Sequence, residues 1–290
     1  MDFFYEKFTY LFDPLHYRWE HEKMHRKISV MLVILFIGNL FIIELNRQGL
    51  LPAMLSLSVP KNHFYAIQTA FTVVLILEVI SLIFTLPCSF SKSVGKQFEI
   101  LTLILIRNAF KELSYLPEPI SFSGNETAIL HILSDGFGAL IVFALLGIYY
   151  KIQNESQDET GKPEDLYAFV AAKKGIALIL LGFFIYMGIN TIYRSLMGLE
   201  SPDFFHGFYT LLIITDILLV LIAQCFQPSF YAVFRNSGYA LSTLMIRLAL
   251  AAPAYFNVLL GVAASIFAIA MTLVSTKFFT TKVQNKVKSC

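Results

Sequence analysis

The chain has 290 residues, of which 57% are hydrophobic and 14% charged, with 28 phenylalanines and a formal net charge of +2. That is more apolar side chain than a soluble domain can bury, and several apolar runs exceed 18 residues, so composition alone predicts a polytopic membrane protein. It excludes a soluble domain, and with no basic patch away from the membrane face it excludes a nucleic-acid partner.

Residues 1–26 read as a separate interfacial element. Phe4, Phe8 and Leu11 share one helical face, Tyr17 and Trp19 supply aromatic anchors, and Asp13-Pro14 predicts a break. These residues lack the apolar core of a cleavable signal peptide, so the first span is expected to act as the signal. The element ends in His21-Glu22-Lys23-Met24-His25, which matches the HExxH pattern of zinc metallopeptidases. Two histidines four apart on a helix face one metal, and Glu22 would be the general base. A third ligand is lacking, because His63, His131 and His206 belong to the opposite side of the membrane. The stretch therefore reads first as a solvated charged helix, with a metallopeptidase as an alternative. His131 and His206, near span ends, read as interfacial residues, and no cofactor is expected.

At about 20 residues per span, eight runs follow: 27–46, 64–86, 97–114, 127–150, 173–193, 206–226, 236–252 and 254–276. Pro253 separates the last two, which as one helix would overshoot a bilayer at about 1.5 Å per residue. A polar linker, 151–172, divides a first four-helix bundle, 27–150, from a second, 173–276, and a basic tail, 277–290, follows. Cys88, Cys225 and Cys290 are too scattered for a metal knuckle or a disulfide framework.

The distribution of positive charge orients the spans. Of 22 lysines and arginines, Arg107 and Arg247 fall within spans, and only Arg47, Lys61, Lys111 and Arg194 fall on the side opposite the N-terminus. The other sixteen share one side, which predicts both termini in the cytoplasm and an even number of spans.

The second half also resembles the first at an ungapped offset of 140 residues. Ser89/Ser229, Phe90/Phe230, Leu101/Leu241, Ile106/Ile246, Arg107/Arg247 and Ala109/Ala249 coincide. With four spans in each copy, the expected fold is all-α, with eight transmembrane helices in two parallel pseudo-repeats.

Charges inside the apolar runs carry the functional expectation. Glu78, Glu99, Arg107, Asp135, Asp216 and Arg247 each cost several kcal/mol in hydrocarbon and should face the bundle interior, paired. Matching depth from the outer surface pairs Arg107 with Asp135 and Arg247 with Asp216. Such pairs would serve either as packing clasps or as an ion or proton path.

Residues 70–84, AFTVVLILEVISLIF, followed by KQFEILTLIL at 96–105, resemble the second and third helices of voltage-sensor domains. The resemblance implies that Glu78 is the countercharge of the second helix and that Gln97-Phe98-Glu99 opens the third. It stops there, because the fourth and eighth spans carry no arginine and so no gating charge. Two functions follow from the sequence. One is an ion- or proton-translocating, or voltage-sensor-like, bundle. The other is a non-catalytic subunit or scaffold packed against a partner, either a second copy or a larger membrane complex. The bilayer is the surrounding medium in both.

Overall fold

A computed structural model describes residues 2–52, 59–117, 121–153, 163–197 and 204–276 of the chain. The basic tail and positions 154–162 of the expected linker lie outside them. The described residues form nine α-helices: α1 Asp2–Glu20, α2 Glu22–Arg47, α3 Phe64–Thr85, α4 Phe90–Leu113, α5 Glu126–Gln153, α6 Pro163–Leu196, α7 Phe204–Phe226, α8 Phe230–Ala251 and α9 Phe256–Val274. Six of them, α2, α3, α5, α6, α7 and α9, contain stretches long and apolar enough to cross a membrane.

α4 and α8 fall below that hydropathy because they carry the polar residues. They are also the most interior helices. α4 packs against α3, α5, α8 and α9, and α8 against α4, α7 and α9. α4 buries Ser91, Ser93, Gln97 and Thr102, and α8 buries Asn236, Ser242, Thr243 and Arg247. The outer helices meanwhile turn Phe137, Leu140, Phe143, Phe183, Tyr186 and Ile189 outward. Polar residues inside and apolar residues outside is the pattern expected where the surroundings are lipid and not water.

Both interior helices begin earlier than their apolar runs predict. Ser89 Oγ accepts the Lys92 backbone N–H at 3.3 Å, and Ser229 Oγ accepts that of Ala232 at 3.3 Å. Each serine is an N-cap for a polar first turn that hydropathy does not register. α6 likewise reaches back into the expected linker, being helical from the first described residue there, Pro163.

The expected break at Asp13-Pro14 does not occur, since α1 runs through Pro14. Proline removes one backbone hydrogen bond, and tertiary contacts offset that loss. Phe12 is buried with its ring 5.6 Å from that of Phe84, Trp19 lies 5.8 Å from the same ring, and Asp13 Oδ1 pairs with Lys174 Nζ at 2.7 Å. α1 thus packs on α6 and the end of α3, while Leu11 and Tyr17 stay exposed and the Phe4 side chain lies outside the described ones.

α5 crosses α9 closely. A Cβ at Gly138 would collide with both methyl groups of Val258, and further along α9 Ala264 and Ala268 are fully buried in the core that also holds Ala139 and Val142 of α5. Small residues let helix backbones approach where lipid provides no hydrophobic drive between helices.

Candidate functional site

Glu78, Lys96, Glu99 and Tyr150 come together where α3, α4 and α5 meet. Lys96 and Glu99 are three apart on α4 and so share a face. Lys96 Nζ lies 2.8 Å from Glu99 Oε2 and 2.9 Å from Glu78 Oε2, the second contact having the distance of an ion pair without the angle of a hydrogen bond. From α5, the Tyr150 hydroxyl donates to Glu99 Oε1 at 2.6 Å. Its ring crosses α4 over Gly95, where a Cβ would approach Tyr150 Cε1 to 2.6 Å, so only glycine admits this path. Two carboxylates therefore share one ammonium, with one tyrosine hydroxyl as a further donor.

These carboxylates border a cavity of about 570 Å³. Its wall continues through Thr102, Leu103 and Ile106 of α4 and from Gly136 to Leu146 on α5, so its lining is apolar away from the acidic end. Leu140 and Phe143, each 62% exposed on the outward face of α5, are part of its lining, so the cavity is open on that face.

Of the charges singled out from sequence, Arg247 and Asp216 meet directly. Arg247 Nη2 and Nε both donate to Asp216 Oδ2, at 2.7 and 3.0 Å, with both side chains buried. Asp216 also borders a smaller cavity of about 240 Å³ between α7 and α8.

The pairing of Arg107 with Asp135 does not form. Arg107 Nη2 donates to Thr72 Oγ1 of α3 at 3.4 Å, whereas buried Asp135 accepts from Asn257 Nδ2 of α9 at 2.7 Å. The two residues lie on helices that pack together, but their side chains leave those helices in different directions. Depth fixes height along a helix and says nothing of azimuth, which advances about 100° per residue. Asn257 in turn accepts the Val258 N–H through Oδ1, just after Tyr255, whose φ of 70° is a strained value for a non-glycine residue. The Asp135–Asn257 bond therefore ties the first half of the chain to the start of the last helix.

Lys96 and Lys173, both on the N-terminal side in the charge distribution, turn their side chains inward. Lys96 enters the α3–α4 contact. Lys173 is buried, donates to the Cys88 carbonyl at 3.1 Å, and rests 4.1 Å above the ring of Phe169. The Lys96–Glu99 spacing and the N-cap at Ser89 are the sequence signals for the first. Nothing in the local sequence marks the second.

The HExxH stretch is split between two helices. His21 is the N-cap of α2, its Nδ1 accepting from the Lys23 N–H at 3.4 Å, and Glu22 and His25 are exposed. Because His21 is not in the helix, it does not share a face with His25 as the metallopeptidase reading requires, and among the described residues no group of three or more potential ligands gathers. The side chain of His206 lies outside the described residues.

In the stretch resembling a voltage sensor, Gln97 and Phe98 are buried and Glu99 turns to Lys96. The resemblance rests on those short motifs alone. No protein-family model, curated protein or solved structure matches the chain.

Proposed function

We propose that the chain crosses the bilayer eight times, as two parallel units of four helices, and translocates a proton or small cation through the Glu78–Lys96–Glu99 cluster. One observation carries the functional part: two carboxylates share a single ammonium, with the Lys96, Glu78 and Glu99 side chains only 20%, 27% and 37% exposed. Such a cluster is close to neutral only when it holds one more positive charge, so a proton or cation is drawn to it. Lys96 then acts as an internal counterion that keeps the binding reversible, and Tyr150 holds Glu99 in place.

The eight-span arrangement has separate support. α4, with 24 residues, and α8, with 22, are about 36 and 33 Å long at about 1.5 Å per residue, enough for a full crossing. α4 and α8 begin at Phe90 and Phe230, 140 residues apart. Their serine caps repeat at the same offset.

The test is proton uptake by the purified chain in sealed phosphatidylcholine vesicles, driven by an imposed potential and read by an internal pH dye. Uptake above that of empty vesicles is expected. Glu78→Gln and Glu99→Gln should each reduce it more than tenfold while leaving the purified protein monodisperse. Uptake equal to that of empty vesicles, or unchanged in both variants, rejects the reading. A tight buried clasp at Arg247–Asp216, beside a much smaller cavity, favours a packing role for the second unit.

A further inference from the structure

The cavity beside Glu78 and Glu99 has different chemistry at its two ends. Glu99 of α4 lies at the Leu146 end of the α5 wall, since Tyr150, one turn beyond, bonds to it. From Leu146 to Gly136 the wall runs ten residues, about 15 Å at about 1.5 Å per residue, past Ala139, Leu140 and Phe143. An inorganic ion would use the acidic end and leave that apolar slot empty.

We infer that the cavity takes up a single-tailed amphipathic amine that enters sideways from the bilayer, its ammonium on the cavity side of Glu78 and Glu99 beside Lys96 and its hydrocarbon tail along α5. This rests on the proposal that these two carboxylates are the functional groups, and it names the cation they receive. Charge selects the head. With two carboxylates against Lys96, an ammonium gains charge-assisted hydrogen bonds, whereas a carboxylate, sulfate or phosphate head would meet like charge. A diacyl phospholipid is disfavoured on the same ground, because its phosphate would sit beside its amine. The cavity volume of about 570 Å³ lies within the range of roughly 300–1,000 Å³ usual for sites that enclose small organic ligands. Entry from the side follows from the exposed Leu140 and Phe143 in the lining.

The full chain in phosphatidylcholine nanodiscs would be titrated with tritiated dodecylamine, and separately with tritiated dodecanoic acid of the same tail length. Saturable binding of one dodecylamine per chain is expected, at least tenfold tighter than dodecanoic acid. The Glu78→Gln, Glu99→Gln double variant should weaken dodecylamine at least tenfold. Gly136→Trp gives a control that leaves the charges alone: no atom lies within 4 Å of a Cβ built there, so the indole should fill the slot without disturbing packing and abolish binding. Equal binding of amine and acid, or unchanged binding in Gly136→Trp, overturns the inference. Carboxylate-dependent proton uptake without saturable dodecylamine binding also overturns it, and leaves the translocation proposal standing. Saturable amine binding without proton uptake has the reverse meaning.

Discussion

Arg247 and Asp216 bring a full positive and a full negative charge into a helical interior, with side chains only 2% and 11% exposed. Both hydrogen bonds end on the same oxygen, Oδ2, so the pair is not the two-oxygen fork that guanidinium makes most favourably. Removing one partner leaves the other charged and unsolvated. Asp216→Asn should therefore destabilise the protein by about 3 kcal/mol, and Asp216→Asn with Arg247→Gln should recover part of that loss. Thermal unfolding in detergent or nanodiscs would measure both, and a double variant no more stable than the single one would argue against a clasp. This pairing could be read from the sequence because cost and depth together left few partners. The Lys96 cluster could not, because hydropathy started the third span at 97 and left its key cation in a loop. Arg107 and Asp135 mark the same limit from another side: the residues lie on packed helices, yet each finds an uncharged partner, Thr72 and Asn257, whose direction no depth count contains.

At the scale of helices, the polar turns at the starts of α4 and α8 were the hardest to see and are built alike. Ser89→Ala and Ser229→Ala each remove the side-chain acceptor for a first-turn N–H, and each should cost about 1 kcal/mol. Similar losses are expected if the two helices are copies, and a loss confined to one of them would count against that equivalence. The α5–α9 crossing depends instead on the absence of a side chain. Gly138→Leu would press a branched group into Val258, with an overpacking cost of about 1–3 kcal/mol. Adding Val258→Ala should restore much of the lost stability, and failure to do so would place the strain elsewhere. The lengths of the apolar runs predicted the existence and order of these helices. The starts of α4 and α8 escaped them because the capping serines act through local hydrogen bonds, to which hydropathy is blind.

For the whole molecule, the central question is whether the interior helices α4 and α8 cross the bilayer with their six more apolar neighbours. Charge distribution and helix length argue that they do, since a 24-residue helix such as α4, packed between α3 and α5, has no need of a partial path. Single cysteines introduced into a variant lacking Cys88, Cys225 and Cys290 would decide it, read by an impermeant maleimide on intact cells and again after permeabilisation. Lys61 and Ser123, which flank the α3–α4 pair on the far side, should label from outside, as should Arg194 and Pro253 in the second half. Lys92 and Pro228, at the starts of α4 and α8, should label only after permeabilisation. In this pattern Lys92 and Ser123 bracket one crossing and Pro228 and Pro253 another. Matching sides for Lys92 and Pro228, 136 positions apart, are also what parallel units demand, whereas inverted units would place them on opposite faces. If Lys92 and Ser123 label from the same side, α4 does not span, and the carboxylates at Glu78 and Glu99 would then lie beside a re-entrant helix instead of within a crossing bundle.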